Sequence, residues 1–175
     1  MRLYQTLGVV LTLAGGACSA DATHNPMAPT GLQRAATDGA ADATKTLNIH
    51  GTLQTSEIDG YDPATNSLLV HLTGSGAASL LGRFTMVDDG VASLTTGAGT
   101  GTITYTAADG SSFTGTASGN GTIDGDFADL ADTLTVTGGT GRFAGASGIL
   151  IANRRLDLTT LSSSGSINGS LSTSK

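Results

Sequence analysis

The stretch Thr135-Val136-Thr137-Gly138-Gly139-Thr140-Gly141-Arg142-Phe143-Ala144-Gly145-Ala146-Ser147-Gly148 admits two readings that lead to different proteins. Read as a nucleotide motif, Gly139-Thr140-Gly141-Arg142-Phe143-Ala144 fits the G-x-G-x-x-G/A fingerprint and follows the strand-like run Leu134-Thr135-Val136-Thr137. That motif works by starting a helix whose N-terminal amides face a pyrophosphate, inside a βαβ unit that continues beyond it. Here the helix would contain Gly145 and Gly148, each costing about 1 kcal/mol relative to Ala. It would then run into Ile149-Leu150-Ile151, with too little chain beyond for the remaining strands and helices of a nucleotide-binding sheet. The calcium-solenoid repeat G-G-x-G-x-D fails as well, because Phe143 stands where Asp is required. The glycines are therefore read as hairpin residues that supply positive φ angles and close backbone approach, with Phe143 directed into a core.

Outward from this stretch the period is two. Leu47, Ile49, Gly51 and Leu53 alternate with Asn48, His50, Thr52 and Gln54, the signature of a half-buried strand. Asp59-Gly60-Tyr61-Asp62-Pro63 supplies turn chemistry, and Leu68, Val70 and Leu72 share one face of the next strand. Further strands are expected over 80–87, 101–107, 111–118, 133–137, 142–151, 154–160 and 164–172, and Asp109-Gly110 marks a hairpin between two of them. Residues 80–87 carry apolar side chains on both faces, with Arg83 opposite Phe84. Either one face meets a partner subunit or the arginine is led out of the wall. No segment after the N-terminal leader has a helical period. Short strands with Gly and Asp turns indicate a sandwich or a barrel, and closing into a barrel removes exposed edges.

The run 138–148, together with Leu81-Gly82-Arg83-Phe84-Thr85 and Ala107-Ala108-Asp109-Gly110, resembles the bacterial relatives of the allene oxide cyclase and dirigent barrels. The resemblance covers residues 45–175 and rests on glycine-rich structural motifs. It implies an all-β fold, a small antiparallel eight-stranded calycin-like barrel, and a trimer as in the plant members. No catalytic residue carries over with it.

At 175 residues with 26 Gly, 3 Pro and no Trp, the chain holds one domain plus appendages. Its formal net charge of −6 argues against a nucleic-acid groove, which needs clustered Lys and Arg. Residues 1–17 read as a signal peptide, with Arg2 as the positive region, an apolar run over 3–13 and the small residues Ala14-Gly15-Gly16-Ala17 before Cys18. The lone cysteine stands where a bacterial lipoprotein carries its acyl chains, although Gly15 occupies the position where Leu is usual. Lipidation at Cys18 and cell-envelope anchoring are expected, with cleavage after Ala20 or Ala22 and release as the competing reading. Residues 18–44 read as a flexible tether without periodic apolar content, and 45–175 as the barrel.

Candidate chemistry is sparse. No G-x-S-x-G elbow exists, and Gly145-Ala146-Ser147-Gly148 has the wrong spacing for one. His50 and His71 share the polar parity of their strands and lack a third zinc ligand, so they are read as surface residues. Asp124, Asp126, Asp129 and Asp132 form the densest acidic stretch, but it lacks the Gly and Glu of a calcium loop and is read as a solvated loop. Neither a metal nor a cofactor is expected.

The pattern that stands out is Arg154, which shares the parity of Leu150, Ala152, Leu156 and Leu158; a regular strand points it inward, and a bulge near Asn153 would reverse that. Glu57 falls on the parity of Leu47, Ile49 and Leu53, and Tyr105 on that of Ile103. Glu57, Tyr105 and Arg154 are therefore expected to meet as a polar cluster inside the barrel or at one mouth, because buried charges persist when paired. Two functions remain open: a non-catalytic binding or structural protein, whose barrel is filled by side chains or holds one small apolar ligand, and an isomerase or cyclase acting inside the barrel. An open lumen with a paired carboxylate and arginine favours the enzyme; a lumen packed with apolar side chains excludes enzyme and ligand carrier and leaves a structural or interaction role.

Overall fold

The computed structural model describes residues 45–173, which form a closed antiparallel barrel of eight strands in sequential order. They are β1 (Lys45–Asp62), β2 (Ser67–Ala78), β3 (Gly82–Ser93), β4 (Ala98–Ala107), β5 (Ser112–Asp124), β6 (Phe127–Gly139), β7 (Ser147–Asp157) and β8 (Ser162–Thr173). The signal segment, the tether and Cys18 lie outside the described residues.

Closure follows from the length and stagger of β1. Its first part pairs with β8, from Lys45 opposite Thr173 to Ser56 opposite Ser162, and its later part pairs with β2, from Gly51 opposite Ala78 to Asp62 opposite Ser67. Such offset is what strand tilt in a barrel requires. Within the ring, period two assigns every side chain to the lumen or to solvent. Ile49, Leu53, Leu72, Met86, Ile103, Leu134, Leu150, Ile167 and Leu171 are all buried inside.

One end of the lumen is plugged by aromatic rings. Phe84, Tyr105, Phe113 and Phe143 form a chain of contacts with centroids 5.4, 5.2 and 5.4 Å apart, the middle pair stacked and the last pair edge-on. Phe143 reaches the plug from a single 3-10 turn, Gly141–Phe143, in the β6–β7 connection. Gly141 and Gly145 bracket it at φ +58° and +65°, so the glycines of the opening stretch shape a hairpin connection. Arg142 lies 5.0 Å from the Phe143 ring centroid and pairs with Asp109 at 3.0 Å, which holds this connection against the β4–β5 turn.

Three expectations about boundaries are corrected. Residues 142–151 and 154–160 do not form two strands: residues 142–146 belong to the connection, and β7 runs unbroken through Asn153 with no bulge. The third strand begins at Gly82 and runs on to Ser93, because Leu80 sits at φ +68° in the preceding turn and Asp88-Asp89-Gly90 stays paired with β2 and β4. Residues 124–132 are not a loop; only Gly125 and Asp126 lie between β5 and β6. Arg83 is exposed on the outer wall while Phe84 points inward.

The plug makes a direct prediction. Phe113, fully buried between two rings, should cost about 3–5 kcal/mol when replaced by Ala. Gly76→Ala should cost about 1–3 kcal/mol through overpacking, because its Cβ would overlap the Thr52 carbonyl and the Phe84 ring. Urea unfolding of each variant measures both losses.

Candidate functional site

Above the plug, β1, β6, β7 and β8 send polar groups into the same layer of the lumen. Arg154 points inward because β7 is regular, as the parity of Leu150, Ala152 and Leu156 requires. Its Nη1 donates to Glu57 Oε1 at 2.7 Å, and to Thr55 Oγ1 and Ser163 Oγ at 3.3 Å each. Nε and Nη2 donate to Asp132 Oδ2 at 3.3 and 3.0 Å. The Thr55 and Ser163 hydroxyls lie 2.6 Å apart and complete the ring around the guanidinium. The Glu57 and Arg154 side chains are only 6% and 9% exposed, so the bridge operates largely out of water.

Burial pushes the Glu57 carboxyl above its ordinary value, against the opposing hydrogen bond and charge of Arg154. For Arg154, burial works against the charge, and the carboxylates of Asp132 and Glu57 outweigh it. Tyr105 stands at the junction of plug and charged layer: stacked on Phe113, it also lines a small void with Asp88, Asp132 and Arg154. Burial raises its phenol far above the usual range. The structure thus brings Glu57 and Arg154 into direct contact and sets Tyr105 beneath them.

Asp88 and Asp132 complete the layer; the sequence reading passes over Asp88 and places Asp132 in a solvated loop. Asp88 shares the parity of Phe84 and Met86 on β3, and Asp132 that of Leu130 and Leu134 on β6, so extending those strands would have placed them inside. Two glycines make room for them. A Cβ on Gly101 would lie 2.5 Å from Asp88 Oδ1, and a Cβ on Gly119 would overlap Asp132 Oδ1, so each carboxylate lies flat across a glycine of a neighbouring strand. Asp88 Oδ1 is buried without a hydrogen-bond partner, as is Asp59 Oδ1. Burial, with Asp132 next, pushes the Asp88 carboxyl from 3.8 to about 6. Asp59 is raised by burial alone.

The lumen is therefore half filled. Between the plug and the charged layer is a void of about 20 Å³, room for one water molecule. Above the layer a cavity of about 240 Å³ opens at the unplugged end, walled by Leu68, Val70, Ala128, Leu130 and Leu156. Its far wall is bare because β3, β4 and β5 place Gly90, Gly99, Gly101, Gly119 and Gly121 at its lining. Four carboxylates, Glu57, Asp59, Asp88 and Asp132, face it with the single cation Arg154.

The remaining sequence candidates lie elsewhere. Asp124 and Asp129 pair with Arg155 on the outer wall, while Asp132 of the same acidic stretch turns inward. His50 contacts Ser79, and His71 meets Asp89 at 2.6 Å; both are exposed and well separated along the sheet, since His71 lies opposite Ile58. Among the described residues, no group of three or more His, Cys, Asp or Glu is placed to hold a metal ion. Comparison with known protein families, with curated proteins and with solved structures finds no match to this chain.

Chemically, every nitrogen of Arg154 donates to a side chain of its own layer, whereas Asp88 and Asp59 each keep a buried oxygen without a partner. Replacing Arg154 by Met should cost about 3–5 kcal/mol at pH 7, because Glu57 is left as a buried, uncompensated charge and Asp132 loses its partner. Part of the loss should return as pH falls and the Glu57 carboxyl, already raised by burial, takes up a proton. Asp88 has the opposite consequence for the intact chain. With its folded pKa raised to about 6, the fold holds the protonated form, and stability falls as pH rises from about 4 through about 6. Asp88→Asn should raise stability at pH 7 by about 1–2 kcal/mol, less than the full shift because solvent at the mouth screens the charge. Urea titrations at pH 4.5 and 7 check both signs.

Proposed function

We propose that this chain is an exported calyx, anchored to the cell envelope through Cys18, which holds one small molecule in the open half of its barrel and catalyses no reaction. The observation that carries the reading is the cavity of about 240 Å³ with apolar side walls and a polar floor, the usual composition of a ligand site. That volume is just below the roughly 300–1,000 Å³ typical of drug-sized ligands, so the occupant is small. The described strand ends, Lys45 and Thr173, pair with each other at the plugged end, so among the described residues the mouth is bounded by strand connections. Membership of the bacterial allene oxide cyclase and dirigent-like barrels belongs to the same proposal. So does trimer formation, for which Leu80 and Val87, each 41% exposed, supply apolar outer surface.

A cyclase or isomerase is the second reading, favoured by the paired Glu57 and Arg154 beside an open lumen and by Asp88 as a proton acceptor with a pKa near neutrality. It ranks below binding because a developing oxyanion needs preorganised donors, and those of Arg154 are engaged with Glu57, Asp132, Thr55 and Ser163.

Native mass spectrometry of the full chain, isolated gently from its host, tests the proposal. A small adduct that leaves on denaturation is the expected result, and the same spectrum counts subunits. A bare polypeptide mass, together with no change on adding small apolar compounds, would overturn the calyx.

A further inference from the structure

We infer that the calyx selects a small organic cation, an ammonium group on a compact apolar body, with the ammonium seated at the cavity floor beside the carboxylates of Asp88 and Asp132. This rests on the calyx reading and names its ligand class. The seat is defined by what Arg154 leaves unmet. Its Nε and Nη2 both go to Oδ2 of Asp132, and the other oxygen of that carboxylate lies across Gly119. Asp88 lies across Gly101 with Oδ1 buried and unpartnered. Both aspartates line the open cavity and the water-sized void beneath it.

Charge then discriminates among ligands. An anion entering the cavity would face four carboxylates, and Arg154 is already engaged with two of them. A neutral molecule would fill the apolar walls, and a hydroxyl on it could donate a hydrogen bond, but it would leave the excess of carboxylates over Arg154 uncompensated. A cation supplies the missing charge, and an opposite charge close to Asp88 favours its ionised form. The body of the ligand is constrained independently: Leu68, Val70, Leu130 and Leu156 provide apolar contact, and the glycine wall opposite leaves space without adding polar side chains. The groups facing Asp88 are Glu57 from β1, Tyr105 from β4, Asp132 from β6 and Arg154 from β7, with Asp89 adjacent on its own strand. Carboxylates dominate this set, so ionisation of Asp88 increases the attraction for a cation as pH rises.

The test titrates the full chain with three probes of one size, hexylammonium chloride, 1-hexanol and sodium hexanoate, by calorimetry and by amide chemical shifts. Hexylammonium should bind at least ten-fold more tightly than hexanol at pH 7.5, hexanoate should not bind, and the shifts should fall on Leu68, Val70 and Leu130. The preference should weaken below about pH 6 as Asp88 is protonated. Asp88→Asn should bring hexylammonium down to the level of hexanol while the urea midpoint and far-UV circular dichroism show an intact barrel, which separates loss of the seat from loss of the fold. Equal binding of hexanol and hexylammonium to the wild-type chain would overturn the cation preference and leave the calyx standing. Shifts confined to the outer wall around Asp89, Asp124 and Asp129 would overturn it too. If none of the three probes binds, the cation inference falls; a bare native mass would then remove the calyx reading with it.

Discussion

Closure of β1 onto β8 is the constraint from which the rest follows. Once twelve paired positions from Lys45 to Ser56 join the first strand to the last, no strand edge remains, and the pleat assigns each residue to the lumen or to water without further choice. A side chain that is awkward indoors cannot be moved outward by slipping one strand alone, because the slip would turn its apolar neighbours out as well. Arg154 is inside because Leu150 and Leu156 are inside, and Glu57 because Leu53 is. The charged layer is thus bound to the register of the whole ring.

That layer divides the barrel into two unlike halves. Below it, a composition with only four Phe and three Tyr is concentrated into one aromatic plug of three Phe and one Tyr. Above it, glycines at lining positions of β3, β4 and β5 leave the cavity empty. Arg154 offsets two of the four lumen carboxylates, Glu57 and Asp132, and Asp59 and Asp88 keep oxygens without partners. Native structures satisfy nearly all their buried polar atoms, and both exceptions here lie along the open half. The carboxylates on turns behave oppositely: Asp62 accepts from the Thr65 hydroxyl and the Ala64 amide, Asp109 and Asp157 accept from backbone amides, and these bonds lower their pKa. These stabilise the fold above the ordinary carboxylate range and lose that effect as pH falls through their lowered values, whereas the raised lumen groups weaken it as pH rises.

The fold was legible where alternation was strong. Leu47 to Leu53, Leu68 to Leu72 and the Asp109-Gly110 turn all read correctly, and parity alone placed Glu57, Tyr105 and Arg154 on inward faces. It failed where composition imitated a turn. Asp88-Asp89-Gly90 resembles a loop, and so does the acidic run from Asp124 to Asp132, yet both continue as paired strand because strands on both sides, β2 and β4 for the first and β5 and β7 for the second, supply the ladder. The missed residues of the site, Asp88 and Asp132, sit in those two stretches. The glycines carried a second message that single-strand reading could not decode: Gly101 and Gly119 are small because carboxylates from adjacent strands lie across them.

The pairing of Lys45 with Thr173 also bears on how the chain could be rewired. The two ends of the barrel are already neighbours on adjacent strands, so a short linker could join them and new termini could be cut into any exposed turn. With all eight strands sequential around the ring, such a permutation preserves every pairing and changes only which hairpin is made first. The fold is, in this sense, a circle read from an arbitrary starting point, and its entry at the plugged end makes the four mouth connections interchangeable sites for insertion.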